Sequence, residues 1–178
     1  MCDTEVYTVR VDTVNTTVSN VDFVSYINIP LRNIVKAELL SASIVATSAD
    51  SPVLSIYVDE LVSKFNDRAS LNFNMSTAGS ISTQGAVTAP LSNVKLLSTS
   101  LAVIPSEQTL ARTVYTSSGV GFPTDVVFIE PIRQLKTLTV KILKSNGDLL
   151  SDPTGASFLT FRFTCSKPNV CQYGGQIV

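Results

Sequence analysis

The chain has no histidine and no tryptophan among its 178 residues, and only three cysteines. Without imidazole, the commonest general base, the Ser-His and Cys-His pairs and the commonest metal ligand are all missing. An enzyme built on this sequence would have to work with carboxylates, lysine or tyrosine. The cysteines are odd in number, with Cys2 far from Cys165 and Cys171, so they supply neither a disulfide framework nor, without histidine, a zinc site. They read as reduced thiols, with a Cys165 to Cys171 bridge as the minor alternative. Neither cofactor nor metal is expected. Charge is scarce as well: 15% of residues are charged, 13 basic against 14 acidic, so no field of one sign favours nucleic acid or anionic lipid. No stretch approaches the ~20 apolar residues of a membrane span. Met1-Cys2-Asp3-Thr4-Glu5 has neither the basic nor the apolar region of a signal peptide, so the expectation is a cytosol-like compartment. The Asn-x-Ser/Thr matches at Asn15 and Asn74 are then expected to carry no sugar.

What is present is β-pattern. Ser and Thr together exceed a fifth of the chain, and Val is abundant, a mix that suits pleated, half-buried surfaces and their turns. Leu138, Val140 and Ile142 alternate with Thr137, Thr139 and Lys141; after the turn signal Ser145-Asn146-Gly147-Asp148, Leu159, Phe161 and Phe163 alternate with Thr160, Arg162 and Thr164. Each segment shows water one face and a core the other, and the two read as a closing pair of strands joined by a turn. Glu5 to Val11 reads as an edge strand or arm with Tyr7, Val9 and Val11 on one face. Asp22 to Pro30 is a strand, Pro30-Leu31-Arg32-Asn33 a corner, and Asn33 to Ala46 a long segment apolar on both registers. Such a segment is buried on both faces or carries a bulge that bends it between sheets. Further strands are expected at Val53 to Val58, Val94 to Ile104, Thr113 to Thr116 and Asp125 to Ile129. Between Phe65 and Pro90 the composition predicts long loops and short strands. The expectation is one all-β domain over 1–178, an antiparallel sandwich of single jelly-roll type with eight to nine strands, a short arm (1–4) and a tail (166–178).

Two regions carry a family likeness. Leu31-Arg32-Asn33-Ile34-Val35-Lys36-Ala37-Glu38-Leu39-Leu40-Ser41-Ala42-Ser43-Ile44 followed by Val53-Leu54-Ser55-Ile56-Tyr57-Val58-Asp59-Glu60-Leu61 is one. The other runs through Phe128-Ile129-Glu130-Pro131-Ile132-Arg133, Leu135 to Ile142, Asn146-Gly147-Asp148-Leu149-Leu150, Gly155 and Phe158 to Phe163. These resemble the early and late strands of the single-jelly-roll penton and minor capsid proteins of large double-stranded DNA viruses, including giant viruses and virophages. The likeness covers less than half the chain and is one of pattern. It implies an icosahedral shell in which this chain closes five-fold vertices as a pentamer beside major and minor capsid proteins. Assembly would take place in the host cytoplasm or a viral factory, with no nucleic-acid contact. A minor or cement capsid protein is the near alternative. A carbohydrate- or receptor-binding sandwich, using the Asn72 to Ala89 and Thr116 to Thr124 loops, is the rival from another class.

Single residues add little chemistry. Asp59-Glu60 is an adjacent carboxylate pair on a strong strand, but neighbours on a strand point to opposite faces, whereas a glycosidase needs two carboxyls facing one cleft. The expected reading is a solvated strand end, and no enzyme is expected. Ser117-Ser118-Gly119-Val120-Gly121 has no following lysine or helix and reads as a hairpin loop, not a phosphate cradle. Candidate interface residues are Arg162, on the polar register of the last strand, and Val170, Tyr173, Ile177 and Val178, apolar anchors in the tail.

Overall fold

A computed structural model describes residues 4–14, 19–46, 50–62, 73–75, 80–83, 87–90, 96–97, 99–106, 112–117, 124–151 and 155–167. Among the described residues ten strands are formed: β1 (Thr4–Asp12), β2 (Asp22–Ile44), β3 (Val53–Val58), β4 (Phe73–Met75), β5 (Ser80–Thr83), β6 (Val87–Pro90), β7 (Ala102–Pro105), β8 (Thr113–Thr116), β9 (Asp125–Leu143) and β10 (Phe158–Ser166). Every pairing is antiparallel. One seven-stranded sheet has the order β1-β10-β2-β9-β3-β7, with β8 beside the far end of β2, and β4-β5-β6 form a separate small sheet. The large sheet curls around one core, to which β1, β2, β3, β7, β9 and β10 all contribute. The chain is an all-β sandwich of jelly-roll-like form.

The expected face of each closing strand is the buried one. Leu138, Val140, Ile142, Phe161 and Phe163 have no accessible surface, and Leu159 almost none. The two strands are not partners, however. β2 lies between them, pairing β10 along one edge and β9 along the other. The turn does reverse the chain: Gly147 takes φ 84°, Lys144 N–H reaches Asp148 O at 2.8 Å, and Leu143 pairs with Leu149. After the turn the described pairing is that bridge and a bond from Leu150 N–H to Ile142 O at 2.9 Å.

β2 and β9 each join segments that the sequence presents as separate strands. β2 runs 23 residues and β9 runs 19, lengths that a twisted sandwich accommodates only by bending. Tyr26 pairs Thr137 and Leu31 pairs Leu135, so Ile27 to Pro30 stand as four residues against Lys136. Further on, Ile34 pairs Ile132 and Lys36 pairs Val127, so Phe128 to Pro131 stand as four against Val35. The second excursion cancels the offset of the first, and the ladder resumes in its original register. The corner expected at Pro30 to Asn33 is therefore real, and Asn33 holds φ 51°, the left-handed region that asparagine tolerates better than most residues. Against β10, register breaks at Val35 and Leu40 shift the inward position again. Consequently the buried residues of β2 change parity along its length: Phe23 and Leu31, then Ile34, then Ala37 and Leu39, then Ala42 and Ile44. An extra residue flips every later side chain to the other face, and that is why the stretch reads as apolar on both registers.

Two other expectations change. The strand expected over Val94 to Ile104 begins only at Ala102; Leu96 and Leu97 lie in a helical turn. Leu97 there packs on Tyr57 and Leu143 and covers the outer side of β3, which is why β3 is buried on both faces. Tyr7 was expected inward with Val9 and Val11, but is 40% exposed because β1 is the last strand of the sheet. The expected arm and tail begin inside the sheet, since Thr4 pairs with Ser166.

Candidate functional site

Where β3 ends, the chain makes a single 3-10 turn, Asp59–Leu61. Val58 is the last β3 residue to pair with β9, so the β9 edge loses its backbone partner beyond Val140. The Glu60 carboxylate replaces it. Thr139 N–H donates to Glu60 Oε2 at 2.7 Å, and the hydroxyls of Thr139 and Thr137 donate to Oε1 at 2.8 and 3.1 Å. Asp59 accepts from the Tyr57 hydroxyl at 2.9 Å. Burial, the Asp59 bond and the nearby Asp59 and Glu60 charges together push the Tyr57 pKa up to about 12. The pair read as a solvated strand end is thus tied into the sheet, each carboxylate by the chain's own donors.

Arg162 lies on the outward face, as its register predicts. Its guanidinium donates to Glu38 Oε2 through Nη2 at 2.7 Å and Nε at 3.2 Å, and Lys36 bridges from Glu38 (4.0 Å) to Asp125 (2.8 Å). The register places Arg162, Glu38 and Asp125 in one row across β10, β2 and β9. The row is a cross-strand charge network on a half-exposed surface. Val170, Tyr173, Ile177 and Val178 lie outside the described residues, as do residues 118–123 and most of the expected ligand-binding loops.

One site was not foreseen from the sequence. Arg112, just before β8, donates to Ser43 Oγ (3.0 Å), Ser43 O (3.3 Å) and Ala156 O, and sits 5.5 Å from the centre of the Phe158 ring. It clamps the end of β2 to the entry of β10 beside Gly155, whose φ of 150° disfavours any other residue and where an added Cβ would come within 2.9 Å of Val45 Cγ2. A lone arginine next to a loop gives no sequence signal for this.

The recess that gathers the most varied chemistry is a groove of about 290 Å³ between the start of β1, the corner of β2 and the end of β10. Glu5 and Tyr7 form one wall, Ile29 to Asn33 the other, and Cys165 and Ser166 the end. Glu5 accepts from the Tyr7 hydroxyl at 2.7 Å and pairs with Lys167 at 3.3 Å, and both contacts hold its pKa down. The same bond raises the Tyr7 pKa. Cys165 is a free, buried thiol whose pKa is pushed up by burial and, less, by Glu5, against a backbone contact from Arg32 that lowers it. A protonated buried thiol is a poor nucleophile. A second, more open recess of about 300 Å³ is bounded by Leu96, Lys141, Leu143 and Gly147 to Leu149. Among the described residues no three His, Cys, Asp or Glu side chains gather where a metal ion could sit, and no helix is long and apolar enough to cross a membrane. No protein-family profile matches the chain, and no curated protein matches it by sequence.

Proposed function

We propose that the chain is a structural capsid subunit, the penton that fills the five-fold vertices of an icosahedral double-stranded DNA virus shell. It works by packing subunit against subunit, not by catalysis. The observation that carries this reading is the edge of the sandwich. β1 is nine residues long and ends the seven-stranded sheet, with β10 as its one strand partner among the described residues. A long edge strand invites pairing with another chain, a hazard for a lone protein and an asset for a shell subunit, and Glu5, Arg10 and Asp12 on β1 would have to be met by that neighbour. Val6 on that edge, Val24, Tyr26 and Ile29 on β2, and Val127 and Ile129 on β9 are all at least half exposed. Apolar side chains of this kind suit the roughly 2,000 Å² or more that an obligate interface buries. The jelly-roll-like form fits the resemblance in the early and late strands.

Around a five-fold axis each subunit meets the next head to tail, so the surface that carries β1 faces a different surface of its neighbour and the ring closes. A cement role would use the same edge without five-fold closure. Cross-linking of the purified chain followed by mass spectrometry separates the two. A ladder that stops at five subunits supports the penton; one that stops at two or three, or runs on without limit, overturns it. A glycan bound by the monomer would instead favour the ligand-binding rival.

A further inference from the structure

We propose that the β1–β2–β10 groove receives residues 128–131 of β9 from a second copy of the chain, with Ile129 seated on Tyr7, Ile29 and Pro30 and Glu130 facing Arg32. The inference rests on the shell-subunit reading above and names the surface of one subunit that meets the β1 side of the next. Each half is open among the described residues: Ile29 is 77% and Tyr7 40% exposed in the groove, Val127 61% and Ile129 69% on β9. Residues 128–131 stand as four against the single Val35 of β2, so the ladder pushes them out as a projection. Phe128 roots that projection in the core, while Ile129, Glu130 and Pro131 are exposed. Pro131 fixes its own φ and biases Glu130 to extended backbone, so the projection is stiff before it meets a partner.

The charges agree with that contact. Between Val126 and Ile132 the sequence carries a single charged residue, Glu130. In the groove wall Glu5 is paired with Lys167 at 3.3 Å, which leaves Arg32 as the wall's charge without a counter-ion. Arg32 and Glu130 are both exposed, and neither belongs to an ion pair among the described residues. Within one chain the register sets Gln134, not Glu130, opposite Arg32. An anion on the projection and a cation on the groove favour their meeting and disfavour groove against groove or projection against projection. The two surfaces also flank opposite sides of β2, since β10 and β1 lie on one side of it and β9 on the other. One molecule can therefore offer its groove to one neighbour and its projection to the next, the head-to-tail contact that closes a ring. The apolar part supplies the anchor, an isoleucine entering a recess of about 290 Å³ near the middle of the contact.

The test is sedimentation of the full chain across concentration, comparing wild type with Arg32→Glu, Glu130→Arg, Ile129→Asp and the combined Arg32→Glu, Glu130→Arg chain. All three positions are exposed, so each variant should keep the wild-type urea midpoint, which is measured alongside. The expected result is that each single substitution raises the concentration of half-assembly about tenfold or more, and that the combined reversal returns it to within about threefold of wild type. Ile129→Asp touches neither charge and keeps the test decisive if a reversal lowers the urea midpoint. Wild-type assembly that none of the single substitutions weakens overturns this contact and leaves the shell-subunit reading standing. Weakening by both reversals that their combination does not relieve means that Arg32 and Glu130 do not face each other, and overturns it too. A wild type that never assembles overturns the contact together with the reading it rests on.

Discussion

Replacing Glu60 by alanine removes the acceptor that finishes the β9 edge. Three donors lose their partner: the Thr139 N–H and the hydroxyls of Thr137 and Thr139. The two hydroxyls can rotate toward water, so their loss is small. The backbone N–H cannot turn, and its 2.7 Å bond is to a charged acceptor. Bonds to charged groups contribute about 1.5–3 kcal/mol, and a partly buried donor left unpaired costs about 1–3 kcal/mol. Glu60→Ala should therefore destabilise by about 1.5–3 kcal/mol. Glu60→Gln keeps a carbonyl oxygen for the N–H and should lose about half as much. Asp59→Ala removes one bond from Tyr57 and should cost about 1 kcal/mol. Urea denaturation at constant m-value reads all three, and amide exchange at Thr139 localises the effect. A Glu60→Ala midpoint equal to wild type, or an unchanged Thr139 exchange rate, would refute the role of the carboxylate as the terminal acceptor of the ladder.

Three further outcomes follow from the same geometry. Phe163, fully buried with its ring 6.3 Å from that of Phe161, should cost about 3–5 kcal/mol when cut to alanine; chemical denaturation showing under about 1 kcal/mol would mean that the last strand has another register. Asn33→Val places a β-branched residue at φ 51° and should destabilise by about 1–2 kcal/mol or more, whereas Asn33→Gly should be neutral or better; equal midpoints for the two would remove the left-handed corner. Tyr57 has its pKa raised from 10.0 to about 12 in the folded chain. The folded state thus keeps a proton that the unfolded chain loses, so this contribution is intact below pH 10 and declines as pH rises toward 12. Thermal unfolding of Tyr57→Phe should show a shallower decline over that window than wild type, and parallel curves would count against it.

The closing strands were legible because one period of two holds without interruption from Leu138 to Ile142 and from Leu159 to Phe163. Their partnership was not, since nothing local says that β2 lies between them; that contact spans more than a hundred residues of sequence. β2 itself hid behind its own irregularities. The inward parity reverses between Leu31 and Ile34, at Val35 and again at Leu40, so a single strand looks like an ambiguous apolar stretch. The Asn33 corner was readable from residue type, Pro followed by Asn, because it depends on backbone preference rather than on a distant partner. Leu96 and Leu97 misled because a short apolar run has no period of its own, and the surface it covers, Tyr57 and Leu143, is supplied from elsewhere. Glu60 and Arg112 were invisible as structural ties for the same reason: their partners, Thr137, Thr139, Ser43 and Ala156, lie far along the chain. Arg162 was placed on the correct face by alternation, and Glu38, its partner within the chain, came only with the β2–β10 register.

The measurement that bears most directly on the proposed assembly is the mass of the purified chain by light scattering across concentration, with Val6→Lys alongside. Val6 is exposed on the edge strand, and a charge there discourages edge pairing without touching the core. The account predicts a wild-type species that grows with concentration to five times the mass of one chain and no further, and a variant that stays monomeric while keeping its urea midpoint. A wild type that remains monomeric to millimolar concentration, that closes at a number other than five, or that assembles equally well with Val6→Lys would contradict it.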